Sequence, residues 1–117
     1  MNEHQHQVAL FKWVNMQAAA MPELALMFAI PNGGQRNIIV ATRLKAEGVK
    51  SGVPDICLPV ARGGAHGLFI ELKTLKGKPS VNQREWMGDL ALQGYAAVFC
   101  YGWEDAKDTI LEYLKNK

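Results

Sequence analysis

The apolar positions of this chain change period several times, and each change marks a new element. From Glu3 to Ala20, Val8, Leu10, Phe11, Val14 and Ala18 recur at helical spacing with good helix formers between them, until Met21-Pro22 interrupts the pattern. Leu26 to Ile30 reads as a short buried strand running into the turn-forming Pro31-Asn32-Gly33-Gly34. A helix over Asn37 to Glu47, closed by Gly48, comes next. Gly52-Val53-Pro54 then leads into two apolar runs, Val53 to Leu58 and Leu68 to Lys73, joined through Arg62-Gly63-Gly64-Ala65 as the turn of a hairpin. Beyond a basic loop, Thr74 to Pro79, Ser80 caps a helix over Val81 to Gln93 that stops at Gly94. Tyr95 to Tyr101 is a strand whose run Ala96-Ala97-Val98-Phe99-Cys100 predicts burial on both faces, and Trp103 to Lys115 closes the series as an amphipathic helix. The order α-β-α-β-β-α-β-α predicts an α/β fold, a mixed central sheet flanked by helices, in a single domain over residues 1–117 without internal repeats.

Chemistry concentrates in the two runs of the hairpin. Side chains two apart on a strand share a face, so Glu71 and Lys73 project together while Leu72 points the other way. A hairpin that closes about Gly63 puts Asp55 opposite Glu71. Two carboxylates and an ammonium would then meet, a set that suits Mg²⁺ or Mn²⁺ and a water to be activated. A solvated surface hairpin is the plainer reading of the same residues. Against it, Glu71 and Lys73 follow directly on Leu68-Phe69-Ile70, a run too apolar for a solvent-facing edge, so these charges are expected to be held near a core at some cost.

Composition and charge narrow the classes. A chain of 117 residues that is 49% hydrophobic supports one core rather than disorder. No apolar stretch approaches a membrane span, and the N-terminus lacks a basic-then-apolar signal, so the chain is expected in the cytoplasm with no membrane partner. Cys57 and Cys100 fall inside predicted strands without metal-ligand spacing and read as reduced core thiols. Net charge is only +2, but Arg36, Arg43, Lys45, Lys50, Arg62, Lys73, Lys76, Lys78 and Arg84 face only Glu47, Asp55 and Glu71 between positions 36 and 84. A basic field around a small acidic focus fits a polyanionic substrate together with a metal, although a solvated surface with clustered lysines has the same signature. The glycines of the 31–34 turn would let a ligand approach the backbone closely.

Taken together, several segments resemble the PD-(D/E)xK nuclease superfamily and, within it, a stand-alone VRR-NUC domain, the virus-type replication and repair nuclease. They are Glu3 and Gln7, Pro31-Asn32-Gly33-Gly34 with Arg36, Gly52-Val53-Pro54-Asp55, Phe69-Ile70-Glu71-Leu72-Lys73, and Pro79-Ser80 leading to Gln83 and Trp86. The resemblance implies a restriction-endonuclease-like core and a metal-dependent endonuclease acting on DNA. Asp55, Glu71 and the main-chain carbonyl of Leu72 would be the metal ligands, with Glu3 completing the shell directly or through water. Lys73 would orient or deprotonate the attacking water, and Gln83 would position that water or the lysine. Asn32, Gly33, Gly34, Arg36, Lys76 and Lys78 would touch DNA.

By the same likeness the protein is structure-selective, a resolvase of Holliday junctions or other branched DNA, working in the cytoplasm of a bacterium or phage-infected host. A two-fold symmetric junction needs two matched cuts, hence a homodimer, and Phe11, Trp13, Met16, Met21 and Met27 supply an apolar surplus for its interface. A non-catalytic DNA-binding or assembly module with the same fold is the alternative. A small-molecule enzyme with a nucleotide site finds no phosphate loop of the familiar glycine-rich forms. His4 and His6 point to different helix faces and read as solvated, and His66 as a surface turn residue. Trp13, Trp86 and Trp103 read as core or interface rather than platforms for stacking bases.

Overall fold

The computed structural model describes residues 1–31 and 37–117. Helix α1 spans Glu3–Gln17, started by a reciprocal cap between Asn2 and Gln5. A 3₁₀ helix over Pro22–Leu26 leads to the two-residue strand β1, Phe28–Ala29. Helix α2, Ile38–Ala46, is capped by the Asn37 side chain, and strands β2, Ile56–Leu58, and β3, Leu68–Lys73, follow. Helix α3, Val81–Leu92, strand β4, Ala96–Tyr101, and helix α4, Trp103–Lys115, complete the order. The sheet runs β1-β2-β3-β4, antiparallel except for the parallel pair β3–β4. That is the mixed α/β arrangement expected.

The hairpin register pairs Ile56 with Ile70 and Leu58 with Leu68, so its continuation sets Asp55 against Glu71. The turn itself closes one half-step differently. Arg62 and Ala65 exchange both backbone hydrogen bonds, and Gly63 and Gly64 both have positive φ, as the two central residues of a type I′ turn require. Three residues, Pro59 to Ala61, then lie across from only two, His66 and Gly67. This extra residue restores the register that a closure about Gly63 predicts.

Leu68, Ile70 and Leu72 turn to the face covered by α1 and α4, where Leu10, Val14, Ile56, Leu58, Ala106 and Ile110 form the main core. Alternation sends Phe69, Glu71 and Lys73 to the other face, where α3 lies along β4 and buries Met87.

Four expectations are corrected. Leu26 to Ile30 is not a buried strand, because Pro22 starts a 3₁₀ turn that carries the chain to Leu26, and the remaining strand is an exposed edge. Strand β4 is not buried on both faces; as the outer strand of the sheet, it keeps Ala96 to Phe99 only half-buried. His6 is buried rather than solvated: its Nδ1 accepts the Trp103 amide at 3.1 Å, capping α4, whose own N-cap, Gly102, has no side chain to do so. Of the expected apolar surplus, Met27 is buried and Phe11, Trp13 and Met21 pack against the core, leaving Met16 alone exposed at 77%.

The two cysteines are free and buried, and no helix among the described residues is long and apolar enough to cross a membrane. Helix α2 stands out instead: none of its residues is buried, and Ile38 and Ile39 are 81% and 68% exposed.

Candidate active site

The sheet brings the acidic pair together by construction. Pro54 is fully buried and fixes the entry to β2, and the Ile30 amide donates to the Asp55 carbonyl at 2.7 Å, pinning the segment from its other side. One Asp55 oxygen, Oδ2, accepts the Leu72 amide at 2.9 Å, which holds the carboxylate against β3 beside Glu71. Leu72 is expected at the site through its carbonyl, whereas this contact uses its amide, a main-chain donor that carries no residue signature.

Glu71 is almost wholly buried, and Lys73, also buried, places Nζ 3.8 Å from Glu71 Oε2 and 3.9 Å from Glu3 Oε1. Burial, then the hydrogen bond and the charge of Asp55, push the Glu71 carboxyl up from 4.5 to about 9, with Lys73 pulling the other way and Glu3 adding to the rise. Two carboxylates this close, out of water, call for a proton or a cation between them.

The donor set fits a hard divalent cation. Asp55 keeps Oδ1 outside the Leu72 contact, Glu71 is beside it, and Leu72 lines the same cleft. Mg²⁺ in particular is often held by one or two carboxylates and otherwise by water and substrate phosphate. Among the described residues no three of His, Cys, Asp and Glu converge as a ready-made metal cage, and Glu3 lies on the Lys73 side of the site.

The cleft, about 910 Å³, is lined by Asp55, Glu71, Leu72, Lys73, Gln83 and the N-terminal turns of α1, including Glu3 and Gln7. Gln83 is therefore at the site, but its Oε1 accepts the Ser80 amide at 3.0 Å in a reciprocal cap of α3. The cap leaves its amide nitrogen, a donor, without that engagement.

Lys76 and Lys78 are exposed on the turn that leaves β3, closed by the Gly77 amide on the Thr74 carbonyl; a Cβ at Gly77 would lie 3.4 Å from Lys73 Cδ. The turn thus folds back over the stem of Lys73. Asn32, Gly33, Gly34 and Arg36, also expected at DNA, lie outside the described residues. Arg62, part of the basic field in sequence, is engaged at the hairpin tip by Glu23 at 3.0 Å.

The VRR-NUC domain model matches residues 1–104 of this chain. A solved structure described as a VRR_NUC domain protein is similar over 99% of this chain and 90% of its own, with 29% identity and a TM-score of 0.85. No match was found among the curated proteins.

Proposed function

The chain belongs to the VRR-NUC family of nuclease domains, and from that premise we propose that it is a divalent-metal-dependent endonuclease that hydrolyses phosphodiester bonds in branched DNA. The observation that carries the reading is the buried pair Asp55 and Glu71 with Lys73 alongside. Mg²⁺ or Mn²⁺ held there would neutralise phosphate charge and lower the pKa of a bound water. The residues supply the rest. Asp55 and Glu71, with the Leu72 carbonyl and Glu3, would hold the ion. Lys73, anchored at its backbone by the Gly102 amide at 2.8 Å, places an ammonium where negative charge develops on the phosphate. Gln83 donates toward the attacking water, and Lys76 and Lys78 track the DNA backbone, with Arg36 and the 31–34 turn as further contacts. Two such chains in a C₂ homodimer would make the paired cuts that a Holliday junction needs.

A non-catalytic DNA-binding module is favoured by one observation, that among the described residues no three of His, Cys, Asp and Glu converge as a metal cage. One assay separates the two. The purified protein, incubated with labelled Holliday junctions and linear duplex in chelator, Mg²⁺ or Mn²⁺, should cut the junction only with metal. Asp55→Ala and Glu71→Ala should abolish cutting, and Lys73→Ala should slow it by about 10²-fold or more while calorimetry shows near-normal metal binding. Cutting by Glu71→Ala at near the parent rate would place the chemistry elsewhere.

A further inference from the structure

Beside the cleft lies a second cavity, about 430 Å³, and the two share a wall made of Ile30 and Pro31. Its other surfaces are Val49, Val53 and the indole of Trp86, with Lys50 exposed at the rim and open space around Gly48. The pocket is built rather than incidental. Trp86 Nε1 donates to the Ser51 carbonyl at 3.1 Å, and Asn82 donates to the same carbonyl at 3.0 Å, so α3 clamps the turn that forms one side. With its one donor spent inside the protein, the indole offers a visitor only carbon surface and its π-system. Positive φ at Gly52 and the lack of a Cβ there let that ring approach; a Cβ would come within 3.0 Å of Trp86 Cδ1.

Its position relative to the carboxylates is fixed by the chain. Val53 is two residues from Asp55, at most about 7 Å between Cα atoms. Trp86 follows Gln83 by one turn of α3, about 4.5 Å along the axis, so one helix face serves the cleft and the pocket in succession. A polyanion threaded past Asp55 and Glu71 would therefore carry its next base to the mouth of a largely apolar pocket walled on one side by Trp86, with a lysine on its lip.

Resting on the nuclease reading, we propose that the Trp86 pocket receives one nucleobase turned out of the DNA stack beside the scissile phosphate, and that this is how the enzyme selects branched DNA. A base leaves a paired, stacked duplex at a cost of a few kcal/mol and leaves a branch point at much less. Stacking on an aromatic side chain returns part of that cost without reading sequence, since every base has a π-face. Lys50 is placed to meet the phosphate that follows the displaced nucleotide.

The test uses branched DNAs carrying one 5-iododeoxyuridine at successive positions around the branch, bound to the full chain in chelator and irradiated, with crosslinks mapped by mass spectrometry. One position should crosslink to Trp86. Val49→Phe, which fills the pocket from a half-exposed wall and leaves Trp86 in place, should lower that crosslink by about tenfold or more. The same variant should reduce the preference for branched over linear DNA by a similar factor while linear DNA is cut at the parent rate. Crosslinks confined to residues outside the pocket, or a yield that Val49→Phe leaves unchanged, overturn the proposal whether or not the protein cuts DNA. A Trp86 crosslink lost in Val49→Phe, from a protein that cuts no DNA with any metal, sustains the base site and overturns the nuclease reading instead.

Discussion

Glu71 is the residue on which stability and chemistry meet. Its carboxyl stays protonated to about 9 in the folded chain, but in an unfolded chain it ionises near 4.5. Between those values the folded state binds the extra proton, so stability must fall as pH rises, the contribution being fully present only below the lower value. In chelator, the thermal midpoint should therefore drop between about pH 5 and pH 8, and Glu71→Gln, which cannot ionise, should flatten that slope. Mn²⁺ should raise the midpoint more at pH 8, because the cation takes the proton's place. A Glu71→Gln protein with the parent's pH slope would assign the titration to another group. Most of this site was legible in sequence: strand alternation paired Glu71 with Lys73, and the hairpin brought in Asp55. His6 was not, because its partner is 97 positions away and a histidine that caps a distant helix carries no local pattern.

Elements were legible where one periodicity dominated and illegible where position in the sheet decided burial. Strand β4 is as apolar as a central strand, yet among the described residues no strand covers its outer side, and nothing in its own sequence reveals that. Helix α2 poses the reverse case. Its Ile38, Ile39, Val40 and Leu44 suggest a packed face, but the helix makes only slight contact with the other elements and no residue of it is fully buried. Packing energy should follow burial, not composition. Ile38→Lys and Ile39→Lys should each change unfolding free energy by no more than about 0.5 kcal/mol in urea titrations, whereas Leu10→Ala on α1, with Leu10 fully buried, should cost about 2–5 kcal/mol. A loss of several kcal/mol at Ile38 would mean that α2 packs on this chain's own core.

At the scale of the molecule, those exposed isoleucines bear on assembly. The radius of gyration, 14.5 Å, is slightly above the ~13 Å of a compact chain this long, as a projecting α2 would make it. One cleft holds the two carboxylates and Lys73, and on the nuclease reading one such cluster would cut one strand. Paired cuts across a two-fold junction need a second cluster related by a dyad, which a C₂ dimer provides most simply. Phe11, Trp13, Met21 and Met27 are committed to the core, so the apolar surface open to a partner copy has to come from elsewhere, and Ile38 and Ile39 on α2 and Leu26 and Phe28 at the β1 edge are among the large apolar side chains left exposed. Light scattering at micromolar concentration should give about twice the 12.9 kDa chain mass. Ile38→Lys, harmless to the fold by the argument from burial, should return the mass to a single chain and replace paired cuts by single nicks. Mixing parent with Glu71→Ala protein should likewise leave singly nicked junctions, since half of each mixed dimer is inert. Paired cutting by a protein that scatters as a monomer would refute the dimer, because one cleft would then be visiting both strands in turn.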